Sequence, residues 1–180
     1  MDPIQTVPPA TTILTLAQTK SILYLDGTSQ DTELTELMAE VTDVIERMTN
    51  YCWVEQTWQE YYPCFASSLM LQYSPVTSTT VTYYDSSNVS RSVSSSNYHI
   101  VNLPLARVSF AWDYVFPDTY DRDDAVIVTN VCGGTIPYAV RRAAKHLTAY
   151  LWENRGDTDC GFPDGLMRLI NTCRMGHSIG

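Results

Sequence analysis

The residues with chemical potential are few, and their spacing does not converge on a reaction. Histidines stand at His99, His146 and His177. None has an Asp or Glu at the helical spacing of a metal site, and no HExxH occurs. The cysteines are Cys52, Cys64, Cys132, Cys160 and Cys173. They form no CxxC pair, and an odd number suits a disulfide framework poorly, so they read as free thiols in a reducing compartment. GxSxG, GxGxxG and GxxxxGK[ST] are all missing. Gly133-Gly134 stands between a strand pattern and a helix pattern. It lacks the Lys and hydroxyl of a phosphate loop, so it reads as a turn. The loop from Trp112 to Asp124 carries Asp113, Asp118, Asp121, Asp123 and Asp124. Such carboxylates can hold a divalent cation. Without the Gly and final Glu of an EF-hand they read instead as a solvated loop or a contact with a neighbouring subunit. No catalytic residue, metal ligand or cofactor site is assigned.

Two constellations suit binding rather than chemistry. Arg141, Arg142 and Lys145 place three of the eleven basic residues in five positions. On a helix they lie opposite Val140, Ala144 and Leu147. They make a solvated face or a contact with an acidic partner or second subunit. Trp53, Trp58, Tyr61 and Tyr62 make an aromatic strand, which is either core or an interface anchor, since Trp and Tyr dominate binding hot spots.

The elements that must position these residues follow from periodicity. Residues 1–14 read as an extended arm, because Pro3, Pro8 and Pro9 forbid a helix. A short helix is predicted over 16–23 with Thr15 as cap. Leu34, Leu37, Met38, Val41, Val44, Ile45 and Met48 step by threes and fours, which predicts a helix over 31–49 with Asp31 as cap and Asn50 as stop. Residues 53–131 are β-branched and aromatic. Strands are predicted near 54–62, 69–73, 79–84, 98–103, 107–112 and 125–131. Asp85 to Ser96, with seven serines in twelve residues, reads as a hairpin tip. Val108 to Trp112 alternates large and small residues, so one face is predicted buried, and Val126-Ile127-Val128 reads as a central strand. Helix returns over 137–153 and again from Pro163 to Thr172. The predicted class is α+β, with N- and C-terminal helices packed together and an antiparallel β-rich segment inserted between them.

Size and charge bound the partners. The 180 residues weigh 20.3 kDa, enough for a core without disulfides or metals. Ser and Thr together number 36 and Tyr 12, a mixture suited to strands and adaptable contact surfaces. The net charge of −9 argues against gripping nucleic acid through phosphates and against docking on anionic membranes. No apolar run approaches the ~20 residues that cross a bilayer. These residues describe an acidic, non-enzymatic interaction protein.

Ordered blocks then resemble the head–tail connector (adaptor) proteins of tailed bacteriophages. Thr15-Leu16-Ala17-Gln18-Thr19-Lys20 with Leu25-Asp26 is similar to that family's opening. Asp31-Thr32-Glu33-Leu34 leading to Val44-Ile45-Glu46-Arg47-Met48-Thr49 is similar to its long helix. Gln56-Thr57-Trp58 matches its "QTW" strand, and Ser74-Pro75-Val76 to Asp85 its hairpin. Ile136-Pro137-Tyr138 to Ala143 and Tyr150-Leu151-Trp152-Glu153-Asn154-Arg155 are similar to its last long helix. The set spans residues 15–155. Asn50 stands where the family has Gly, and Thr129 to Gly134 replaces a usual "FxAGYG". The resemblance implies a connector domain over 15–155, preceded by the arm 1–14, and a virion protein in the neck, made in the bacterial host cytoplasm. It implies a homo-oligomeric ring, usually of twelve subunits, beneath the portal protein. Such a ring passes double-stranded DNA without specific binding and receives the next neck or tail protein. On this reading the helices over 31–49 and 137–153 form the subunit contacts, with Arg141, Arg142 and Lys145 available to pair with acidic neighbours. Asp121, Asp123 and Asp124 are also assigned to the subunit interface, in a β segment that faces the adjoining ring or tail. Residues 156–180 become a portal-docking segment carrying Leu166, Arg168, Leu169, Ile170 and Arg174. The readings that compete are a β-rich glycan-binding module with the Trp/Tyr strand as sugar platform, and a cation-dependent hydrolase built on the acidic loop.

Overall fold

The computed structural model describes residues 2–102, 105–155 and 161–172. The chain divides into two compact units, each assembled from separated stretches of sequence. One comprises Met1–Ala10 and Glu55–Gly134; the other comprises Thr11–Val54 and Thr135–Gly180. The class is α+β: helices from both sides of the strand-rich segment share one unit, and that segment with the N-terminal strand forms the other.

The helical unit holds α1 (Leu16–Leu23), α2 (Asp31–Thr49), α3 (Tyr138–Glu153) and α4 (Asp164–Thr172). Thr15 starts α1 through a capping box. Its hydroxyl accepts from the Gln18 N–H at 3.3 Å, and the Gln18 side chain accepts from the Thr15 N–H at 3.0 Å. The predicted cap of α2 is corrected. Asp31 is the first helical residue, where its carboxylate faces the positive helix end and pairs with Lys20; Gln30 precedes it without a side-chain cap. Asn50 ends α2 in the left-handed region at φ 55°, which Asn tolerates better than most side chains. Beyond it, Glu46 accepts from the backbone N–H groups of Trp53 (2.6 Å) and Val54 (3.0 Å), and the Trp53 indole donates to Thr49 at 3.1 Å. Leu37, Val41 and Ile45 of α2 share one core with Val140, Ala143, Ala144 and Leu147 of α3 and with Leu166 and Ile170 of α4. Trp53 belongs to this core, which corrects its assignment to the aromatic strand.

The strand unit holds two antiparallel sheets. β1 (Ile4–Val7), β2 (Gln56–Tyr62), β4 (Val76–Tyr84), β5 (Ser90–Ser92) and β8 (Val126–Cys132) form the larger, in the order β1-β2-β8-β4-β5. The smaller contains β3 (Ser68–Met70), β6 (Tyr98–Val101) and β7 (Arg107–Phe110), in the order β3-β7-β6. β8 is central, as its apolar run predicts, and every second residue from Val126 to Cys132 is buried. The arm is not loose along its length: Ile4–Val7 pairs with β2, and Ile13 and Leu14 enter the helical core. The strand predicted over 107–112 stops at Phe110. Val108 and Phe110 are buried as the alternation requires, but a turn follows and leaves Trp112 97 % exposed. Gly133, read from the sequence as a turn, has φ 141° and its N–H donates across to Pro75 at 3.0 Å, extending the pairing of β8 with β4 by one residue.

Candidate functional site

In the strand unit, Glu60, Tyr62, Asp85 and Asp124 are held by their neighbours. Register places Glu60 opposite Val128, and Val128 opposite Val81, on the buried face of the larger sheet. Glu60 is 6 % exposed. Both its oxygens accept from the Gln72 N–H at 3.1 Å, and Asn130 donates to it at 3.4 Å. Burial pushes the Glu60 carboxyl above its usual range, against the lowering effect of these bonds. The Tyr62 hydroxyl lies 3.1 Å from Glu60 Oε2 and 2.6 Å from the Met70 carbonyl. Burial, and then the Glu60 charge, raise the Tyr62 phenol. This is a polar row satisfied within a sheet.

The acidic loop is likewise tied to its surroundings. Arg122 grips Asp124 through Nε at 2.5 Å and Nη2 at 2.6 Å, donates to Asn88 at 3.1 Å, and stacks 4.0 Å above the Tyr84 ring. The guanidinium bond holds the Asp124 carboxyl below its usual range. Asp124 therefore has its partner inside the loop, while Asp121 and Asp123 are exposed. No group of three His, Cys, Asp or Glu residues among those described could hold a metal ion. The serine-rich stretch is not one open tip. Asp85 accepts from the Ser87 and Val89 N–H groups and from Arg91, which closes a short turn, and β5 returns at once. The bond from the Val89 N–H and the Arg91 contact lower the Asp85 carboxyl. Trp58 stacks on Tyr73, with centroids 3.9 Å apart and planes 21° from parallel, so the supposed sugar platform has one face already covered.

The helical unit carries two exposed charged faces. On α3, Arg141, Arg142 and Lys145 are exposed and stand opposite buried Val140, Ala143, Ala144 and Leu147, as periodicity predicts. On α2 the same logic exposes Glu33, Glu36, Glu40 and Asp43 opposite Leu34, Leu37, Val41 and Ile45. This acidic face was not singled out from the sequence, although its steps of three and four were readable there. α3 and α4 bound a groove of about 620 Å³ lined by Arg142, His146, Tyr150, Leu166, Arg168 and Leu169, among others. The five residues assigned to portal docking do not share one free face. Leu166 and Ile170 are buried in the unit's own core, which removes them from any docking surface; the amphipathic face was read correctly but already has its partner. Leu169 is half-buried and Arg168 exposed at the groove. Arg174 lies outside the described residues. So do Cys160 and Cys173; Cys64 and Cys132 are free thiols, the first exposed and the second buried. No described helix is long and apolar enough to cross a membrane.

No protein-family model matches the sequence, and no curated protein matches it. Solved structures do. A chain from the neck of an empty gene transfer agent particle, computed with C6 symmetry, superposes with a TM-score of 0.80 at 18 % identity, covering 100 % of this chain and 98 % of that one. A chain from the virion of a native gene transfer agent particle gives 0.77 at 19 % identity, with 100 % and 98 % covered. One from the neck of the native particle, computed with C12 symmetry, gives 0.72 at 18 %, with 97 % and 98 % covered. At such identities the likeness is one of backbone, and the conclusion it carries is that this chain has, over essentially its whole length, the fold of these particle chains.

Proposed function

We propose that this protein is a structural component of the neck of a phage-like particle. It acts as a head–tail connector: a homo-oligomeric ring of twelve copies beneath the portal protein, joining head to tail and enclosing a channel for the double-stranded genome. The observation that carries the reading is the near-complete two-way coverage of chains from particle necks. It agrees with the ordered sequence blocks over residues 15–155. The role is mechanical rather than enzymatic. The net charge of −9 suits it, because a channel wall that bound phosphate strongly would hold the DNA it must release. Arg168 and Leu169 at the groove, with Arg174 beyond the described residues, are the proposed contacts to the portal. Asp121 and Asp123 are proposed to meet a neighbouring protein. The protein is made in the bacterial host cytoplasm and has no membrane partner.

The test is quantitative mass spectrometry of purified particles, reading copies of this protein per portal subunit. A ratio near one is expected for a ring that matches a twelvefold portal. Absence from particles would overturn the reading.

A further inference from the structure

The two long helices of the helical unit bear opposite charges on faces that point away from each other. α2 carries Asp31, Glu33, Glu36, Glu40, Asp43 and Glu46 against one base, Arg47. α3 carries Arg141, Arg142 and Lys145 against one acid, Glu153. At 3.6 residues per turn, Glu36, Glu40 and Asp43 stand about half a turn round α2 from the buried stripe Leu34–Val41–Ile45. Arg142 and Lys145 stand similarly round α3 from Val140, Ala144 and Leu147. Val41 and Ile45 of the first stripe and Val140, Ala144 and Leu147 of the second enter the same core. The charged faces are therefore turned outward on different sides of the unit and cannot meet within one molecule.

Within the protomer these charges are only partly matched. Arg47 pairs with Asp43 at 2.9 Å, and Arg155 reaches Glu33 at 4.0 Å. Among the described residues, no ion pair forms to Glu36, Glu40, Arg141, Arg142 or Lys145. Tyr138, 89 % exposed one turn before Arg141 and Arg142, adds an aromatic ring at the edge of the basic face.

We propose that the acidic face of α2 and the basic face of α3 dock on each other between copies of this chain, so that Glu36 and Glu40 of one protomer meet Arg142 and Lys145 of the next. The occupant of each face is a second copy because the two faces are complementary in sign and both helical. The contact joins two different patches, so it is head-to-tail. Such contacts propagate, closing into a ring when the rotation allows and otherwise running on as a filament. The inference deepens the ring reading above by naming the surfaces, and it gives Arg141, Arg142 and Lys145 their acidic partner on α2 of the next copy. Exposed ion pairs are individually weak, so one pair of copies associates loosely and in a salt-dependent way.

The chain has only two lysines, Lys20 and Lys145, which makes the test specific. Full-length protein is mixed as heavy- and light-nitrogen forms at high concentration and low salt. It is then treated with a carbodiimide, which joins carboxylates to lysines in direct contact. The expected product is a mixed-isotope peptide joining Lys145 to Glu36 or Glu40, reduced by about tenfold in 1 M salt, where screening shortens the Debye length to about 3 Å. R141E/R142E keeps both reacting groups and should lose the link to a similar degree. Mixing it with E36R/E40R should restore a link from Lys145 of the second variant to Glu36 or Glu40 of the first. All the substituted residues are exposed, and circular dichroism checks that each variant is folded. Mixed-isotope links from Lys145 to Asp121 or Asp123 instead, or no link to α2, would overturn the proposal. Neither result bears on whether the protein is found in particles, which copy number per portal decides.

Discussion

At the residue scale the informative side chains are two carboxylates, Glu60 buried and Glu46 half-buried, that the sequence does not mark as special. Glu60 folds with its carboxyl raised by burial, so the native state binds the proton more tightly than the unfolded chain. Its contribution to stability therefore falls as pH rises from the unfolded value, near 4.5, through the raised folded value, and the penalty is fully present above that. In Glu60→Gln the amide oxygen accepts from the Gln72 N–H. The amide nitrogen donates to the Tyr62 hydroxyl, which donates in turn to Met70 at 2.6 Å. This variant should keep stability within about 1 kcal/mol at neutral pH and lose that part of the pH dependence. Glu60→Ala, which orphans the Gln72 N–H, should cost about 1–3 kcal/mol. Urea midpoints of the three proteins across pH 4–8 check both statements. Glu46 is the second case. It holds two backbone N–H groups where the chain leaves α2, and Glu46→Ala should destabilise by about 2–3 kcal/mol. Glu46→Gln, which retains an acceptor, should lose less in the same assay.

At the element scale, α4 changes the meaning of its own amphipathicity. A short terminal helix with Leu166, Leu169 and Ile170 on one side reads from sequence as a free docking segment. In the structure Ile170 is 0 % exposed and shares a core with α2 and α3. Ile170→Ala should therefore cost about 2–5 kcal/mol in thermal or urea unfolding of the isolated protein, as truncation of a buried aliphatic does. Unaltered stability would mean that the helix leaves the core readily. Arg168→Glu, on an exposed residue, should leave folding within about 0.5 kcal/mol. The boundaries of α1, α2 and α3 were legible to within a residue because their stop and start signals are local: the Thr15–Gln18 box, Asn50 and Pro137. Trp112 was misplaced because alternation reports which face a residue would take if the strand continued. The turn after Phe110 depends on hydrogen bonds to residues far along the chain, such as Ala111 N–H to Asn97 at 2.8 Å.

At the scale of the whole molecule, charge and assembly decide the behaviour. A contact built on opposed charges between copies predicts that self-association weakens with salt, whereas a contact built on buried apolar surface would not. Sedimentation of the full-length protein between 50 mM and 1 M salt should show a falling weight-average mass. A mass that rises with salt would point to an apolar interface instead.

The amino-acid order determined the class and the segregation of helices from strands, because hydrophobic period and capping chemistry are written within one or two turns of chain. It determined as well which face of each long helix is polar. What only the tertiary structure decided is which apolar stripe already has its partner, and which charges neutralise each other. Arg122 with Asp124 lie two residues apart, yet their bidentate grip exists because Tyr84 and Asn88, more than thirty residues away, fix the guanidinium. Leu166 and Ile170 are buried because α2 and α3, separated by the whole strand insertion, meet to receive them. Burial is a property of pairs of segments, and a pattern read along one segment states a preference without naming the neighbour that satisfies it.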